Sequence, residues 1–289
     1  MLVEAAVAKR MFIFGRIVVF LLGLATGSFL NVLIDRLPKE EPVLMGRSYC
    51  DHCHHKLSWY DLIPLLSFVL LRGRCRYCQK RISWQYPLVE LVTGVLFVLG
   101  SFGNLGRFGE SLISLCYLFF VICSLIVIFF TDLKYGIIPD KVVFPAIGLV
   151  VLFHLMRVFC FVPPSEESRS LSCHLGGGTS PGHLGGVLLA GLAVAAFFGL
   201  LVILTKGRGM GMGDVKLALL MGLFLGFPKI LTALYFAFLT GALVSVILIL
   251  GKKKKFGQTI PFGPFLVGGT IFALFYGSRA IDWWLALFK

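Results

Sequence analysis

Apolar runs, each close to the length of one bilayer crossing and nearly free of charge, recur along the whole chain with short polar connections between them. A crossing takes about 20 residues as a helix, and helices satisfy their own backbone hydrogen bonds where no water can. The runs lie at roughly 11–34, 87–103, 111–131, 137–162, 183–205, 214–226, 228–250 and 260–287. The sixth is short and bounded by glycine, and the eighth opens with Pro261 and Pro264. A ninth run, 61–71 (DLIPLLSFVLL), is too short to span, contains Pro64 and reads as an interfacial segment. The expectation is an all-α polytopic membrane protein with about eight transmembrane helices. Hydrophobic residues make up 58% of the 289 and charged ones 14%, which excludes the soluble globular and disordered classes.

Lys9, Arg10 and Arg16 precede the first run as in a secretion signal. The run continues into GSFLNVLIDRLP rather than a small-residue cleavage site, so it reads as a retained helix. The net charge of +13 is a topology signal, not a nucleic-acid one. Lys and Arg number nine in 35–86, one in 132–136, two in 206–213 and four in 251–259, but one in each intervening loop. The odd-numbered loops are therefore expected on the cytoplasmic side and both termini outside. The 163–182 loop, rich in Ser, Gly and Pro, is expected outside as well.

The first loop carries Cys50 and Cys53 (CDHC) and Cys75 and Cys78 (CRYC). Two such pairs can surround one tetrahedral zinc ion with four thiolates. The alternative is two disulfides, which the reducing cytoplasmic side disfavours. A loop with so little core of its own needs such a staple, so the expected role is structural. His52, His54 and His55 crowd the first pair and read as exposed loop residues. Cys116 and Cys123 sit in apolar helices as small hydrophobes, and a disulfide between Cys160 and Cys173 is open.

Five carboxylates fall within or at the ends of the runs: Glu90, Asp132, Asp140, Asp214 and Asp282. An acid at membrane depth is a functional hypothesis by default. Asp132 ends the third run and Asp214 begins the sixth, which places both on the cytoplasmic side, where they can meet. Two facing carboxylates in a partly desolvated site share a proton; one can then activate water while the other polarises a carbonyl. Simpler readings stand beside this one: Asp214 as a helix N-cap and Asp132 as a turn residue next to Lys134. Gly211 and Gly213 leave room for close backbone approach before Asp214, and Lys216 either tunes that charge or snorkels. Two other classes compete with hydrolysis: a transporter using the aspartates as an ion or proton relay with a regulatory zinc loop, and a scaffold. The absence of an evident internal repeat weighs against the transporter.

GMGD (211–214) resembles the G-x-G-D motif of membrane aspartyl proteases. With TDLKYGIIPD (131–140), GSFLNVLIDRLP (27–38), the paired CxxC, YPLVELVTG (86–94) and IPFGPFLVGG (260–269), the chain resembles the type IV prepilin peptidases. The resemblance implies a bifunctional enzyme of the bacterial inner membrane. It would cleave the leader of prepilins and pseudopilins on the cytoplasmic side and methylate the new N-terminus with S-adenosylmethionine. It implies Asp132 and Asp214 as catalytic residues and Cys50, Cys53, Cys75 and Cys78 as zinc ligands. Residues 1–105 would hold the zinc loop and the methyltransferase part, and 106–289 a six-helix peptidase. Glu90 is a candidate polar anchor for the methyl donor, or else a buried carboxylate paired with a loop Arg. The family pattern is departed from at Lys141, Val142 and Val143, where a Thr-rich start is usual, and in the length of the 163–182 loop.

Overall fold

The computed structural model describes residues 2–43, 48–50, 52–102, 112–159, 181–207, 210–251 and 261–286. All eight long apolar runs are helices: α1 (Leu2–Arg36), α3 (Gln85–Phe102), α4 (Leu112–Tyr135), α5 (Asp140–Phe159), α6 (Pro181–Leu204), α7 (Met212–Leu225), α8 (Lys229–Leu250) and α9 (Gly263–Ala286). The interfacial run folds as a 3-10 turn, Trp59–Leu62, followed by the short helix α2 (Leu66–Leu70). Among the described residues, α1 from Ile13, α4, α6 from Leu184, α8 and α9 are long and apolar enough to cross a membrane. Of the other three, α3 has 18 residues, α5 carries Asp140, Lys141 and Arg157, and α7 has only 14 residues. At 1.5 Å per residue α7 is about 21 Å long, against about 30 Å of hydrocarbon. The all-α membrane class stands, and five of the eight expected helices are long and apolar enough to cross a membrane over their described residues. Cys160, Cys173, most of the 163–182 loop and Lys252 to Lys255 lie outside the described residues.

The chain forms two compact units, Met1–Val127 and Ile128–Lys289, whose boundary falls inside α4. In the first unit α1 and α3 approach along a glycine seam. A Cβ on Gly23 would stand 2.7 Å from the Gly94 Cα, and one on Gly27 would stand 2.7 Å from the Glu90 Cα. Gly23 and Gly27 are four apart, the small-xxx-small spacing that lets helix backbones touch in lipid. Phe97 of α3 then stacks on Phe119 of α4 with ring centroids 3.9 Å apart.

The second unit is built around α7. Leu217, Ala218, Leu220, Met221, Leu223, Phe224 and Leu225 are all buried, as expected of a helix that is apolar on every side. It meets α6 where Gly222 faces Gly191; a Cβ on Gly222 would lie 2.6 Å from the Gly191 Cα. Helices α8 and α9 pair through Phe236 stacked on Phe272 at 4.2 Å and through Gly269 against the Ala233 carbonyl.

These contacts separate two kinds of glycine. Gly222→Leu should drive α6 and α7 apart and cost about 3 kcal/mol or more, by analogy with overpacked cores. Gly148→Ala, where a Cβ meets nothing within 4 Å, should be neutral or stabilising by about 0.5–1 kcal/mol. Thermal unfolding of both variants in detergent checks the contrast; a Gly222→Leu protein as stable as the parent would refute the seam.

Candidate functional site

Three helix ends meet in the second unit. Gly136, at a left-handed φ of 67°, ends α4 and donates its N–H to the Asp132 carbonyl at 2.9 Å. That is a glycine C-cap, and it fixes Asp132 in the last turn. At the start of α7 the N-cap is Gly211, in extended conformation. Asp214 is therefore the third residue of the helix and not its N-cap. Its Oδ2 accepts the Gly211 N–H at 3.1 Å, the acidic half of a capping box. The third end is that of α9, whose Gly263 donates its backbone N–H to the Asp132 carboxylate.

Asp132 and Asp214 are 5% and 8% exposed, and Asp132 lies within electrostatic reach of Asp214. The positive ends of the α7 and α9 dipoles bring partial positive charge to this pair. Asp132 Oδ2 is buried without a hydrogen-bond partner, so it is open to a proton, a water or a substrate group. A Cβ at position 263 would stand 2.5 Å from that oxygen; only glycine fits. Gly213 is nearly as confined, because a Cβ there would meet the Ile138 Cβ at 3.0 Å.

Burial separates the five membrane-level carboxylates. Glu90, Asp132 and Asp214 are buried, whereas Asp140 and Asp282 are exposed. Asp140 has its own partner: Lys216 Nζ lies 2.7 and 2.9 Å from its two oxygens and 5.2 Å from the Phe144 ring centroid. Lys216 therefore neither snorkels freely nor pairs with Asp214. It ties the start of α7 to the start of α5.

In the first unit the two CxxC segments adopt one geometry twice. Tyr49 bridges Lys56 and Arg74 bridges Arg81, at the same offsets from Cys50 and Cys75. Cys50 and Cys75 accept the N–H of His54 and Gln79 at 2.9 and 3.0 Å, and both of those residues have positive φ. The sequence carries the same repeat: CDHCHHKLSW (50–59) and CRYCQKRISW (75–84) share both cysteines, the serine and the tryptophan at an offset of 25. The four Sγ atoms lie within 4.8 Å of one another, and Cys50 and Cys78 are free thiols 3.8 Å apart. A tetrahedral ion with metal–sulfur bonds of about 2.3 Å has sulfur–sulfur edges of about 3.8 Å. The donor set therefore fits one such ion, and the disulfide alternative is not formed. Burial opposes ionisation of Cys75, but the N–H groups of Cys78 and Tyr77 and the neighbouring thiols prevail and bring it down to about 7. The histidines take other roles: His55 lies against the Tyr77 ring with centroids 3.7 Å apart.

Two residues that the sequence reading passed over connect this cluster to the helices. Asp61 Oδ1 accepts the Arg76 Nε–H at 2.8 Å, and its Oδ2 accepts the Tyr77 hydroxyl at 3.4 Å and the Ser58 N–H at 3.3 Å. Leu65, strained at φ 57°, donates its N–H to Glu90 Oε2 at 2.8 Å. Glu90 also accepts from Ser28 of α1. Its partners are thus a loop amide and a hydroxyl, not the loop Arg that was the simpler expectation. The signal for Asp61 was its place as the only acid in a basic loop segment; for Leu65 there was none.

Residues 21–102 match the bacterial peptidase A24 N-terminal domain, and residues 118–246 match the type IV leader peptidase family. A prepilin leader peptidase/N-methyltransferase of Aeromonas hydrophila is 33% identical over 93% of this chain and 93% of its own length. Proteins of the same name from Legionella pneumophila and Bacillus subtilis (strain 168) are 32% and 30% identical, each over 93% of this chain and 94% and 98% of their own lengths. No solved structure matches the chain. Both family segments and relatives of nearly equal length agree, so the chain belongs to the prepilin leader peptidase/N-methyltransferase family.

Proposed function

We propose that this chain is an inner-membrane enzyme that removes the leader peptide of prepilins and pseudopilins and N-methylates the residue so exposed. The observation that carries the peptidase half is the pair of buried aspartates at converging helix ends, inside the segment that matches the leader peptidase family. Asp132 and Asp214 form the catalytic dyad and share one proton. The ionised member takes a proton from water as its oxygen attacks the scissile carbonyl; the protonated member donates to the carbonyl oxygen. Collapse of the tetrahedral intermediate returns a proton to the leaving amine. The Gly263 and Gly211 amides hold the carboxylates in place throughout; glycine at 263 and 213 makes room for Asp132 and Ile138, and glycine at 211 leaves space for an extended peptide.

The excess of Lys and Arg in the odd-numbered loops favours the cytoplasmic side for the dyad and the cysteine loop. Zinc is the ion that best suits four thiolates, and its role there is to hold the loop together. Methyl transfer is assigned to the first part of the chain, about 1–105, and hydrolysis to 106–289. S-adenosylmethionine would supply the methyl group. Glu90 bears on that step by holding the cysteine loop against α1 and α3. The family membership gives no support to a transporter.

Asp132→Asn and Asp214→Asn should each lower leader cleavage by roughly 10²–10⁴-fold, the usual range for losing an acid–base group, with helical content unchanged. Gly263→Ala should impair cleavage as well, because its Cβ collides with Asp132. Mass spectrometry of a prepilin incubated with enzyme and S-adenosylmethionine reads leader loss and methyl gain separately; cleavage retained in either Asn variant would rule out the dyad. A Cys50→Ser/Cys75→Ser protein should contain no stoichiometric zinc by elemental analysis, and unchanged zinc would remove the metal site.

A further inference from the structure

Among the described residues, the first loop presents an apolar face that nothing covers. Leu66, Val69 and Leu70 of α2 stand at i, i+3 and i+4, on one side of the helix, and Val69 and Leu70 are 69% and 72% exposed. Trp59, in the turn before α2, and Trp84, just before α3, are 76% and 77% exposed. Trp84 rests on Phe68 of α2 with ring centroids 5.0 Å apart. So much exposed apolar and aromatic surface on a loop calls for a partner.

Two observations say which partner. The first is depth. Leu65, immediately before α2, is hydrogen-bonded to Glu90, the sixth residue of α3. At 1.5 Å per residue that anchor lies about 7.5 Å along the helix from its first residue. Interfacial helices lie about 5–10 Å into the boundary between headgroups and acyl chains. Leu88 and Leu91 of α3, at the same level, are also exposed. The second is charge. Lys56, Arg72, Arg74, Arg76, Lys80 and Arg81 are all exposed, while the one carboxylate between residues 56 and 84 is Asp61, already paired with Arg76. Tryptophan at the headgroup level and a flanking set of cations are what an acidic lipid surface selects.

We propose that the α2 face lies in the interface of an anionic phospholipid leaflet, with Leu66, Val69, Leu70 and the two tryptophans among the upper acyl chains. Arg72, Arg74, Lys80 and Arg81 lie against the headgroups. The cysteine cluster is joined to this face through Asp61 and Leu65, so lipid contact fixes where the cluster sits along the membrane normal.

The test uses the full-length, metal-loaded protein with Trp283→Phe and Trp284→Phe, which leaves Trp59 and Trp84 as its tryptophans. It is placed in nanodiscs of phosphatidylglycerol or of phosphatidylcholine. Lipids brominated near the headgroup should quench most of the emission in phosphatidylglycerol, and aqueous iodide should quench little. Val69→Gln/Leu70→Gln should lower lipid quenching several-fold with helical content preserved. Arg72→Gln/Arg74→Gln/Arg81→Gln should bring phosphatidylglycerol down towards the weaker quenching in phosphatidylcholine, as should high salt. Strong iodide quenching in phosphatidylglycerol would place the face in water and overturn the proposal. Shielding from both quenchers would mean that protein covers it, which overturns it equally. Equal lipid quenching in both nanodiscs would overturn the requirement for anionic lipid.

Discussion

The second unit is organised around a buried carboxylate, Asp132, that the Gly263 amide at the start of α9 reaches. A carboxylate at membrane depth is costly unless donors reach it, and an apolar helix has spare donors only in its first turn. The unit meets that constraint by bringing the start of α9 to the end of α4, and by letting Asp214 use the spare amide at the start of its own helix. The glycines follow from the same need. A side chain at 263 would occupy the space of the acceptor oxygen, and one at 213 would push against Ile138. The catalytic reading and the packing thus rest on the same contacts.

The first unit meets a different constraint with similar means. Its loop has little apolar interior, so order comes from polar links in series: thiols to one another, Arg76 and Tyr77 to Asp61, Leu65 to Glu90, and Glu90 to Ser28. The Leu65–Glu90 bond reaches α3, and the last link joins α3 to α1, where Gly23 and Gly27 hold the two helices closely enough for Ser28 to meet Glu90. Substitutions far apart in sequence, at Asp61 and Gly27, would therefore disturb the same element.

The helices were legible because an apolar run of crossing length has few alternatives in lipid, and the four cysteines because their spacing matches the geometry of a metal site. Asp132 and Asp214 could be picked out by position alone, since each ends or begins a run. Three kinds of feature were not fully legible. The length of α7 depends on where capping glycines start and stop the helix, Gly211 and Gly226, which hydropathy does not register. The role of Lys216 depended on a partner 76 positions away, Asp140, which only the packing of α5 on α7 supplies. The doubled knuckle was only partly legible: the Cys, Ser and Trp positions repeat 25 residues apart, but the positions that set the backbone do not, since His54 and Gln79 occupy equivalent left-handed sites without being alike.

The shortness of α7 bears on how a hydrolase can work inside a membrane. With about 21 Å of helix against about 30 Å of hydrocarbon, α7 leaves roughly 9 Å of the bilayer's depth unfilled along its own axis. Water is the second substrate of hydrolysis, and a helix that does not fill the bilayer's depth shortens the path that water must travel. An α7 of full crossing length would carry Asp214 up to the membrane surface, away from a peptide bond that arrives from lipid.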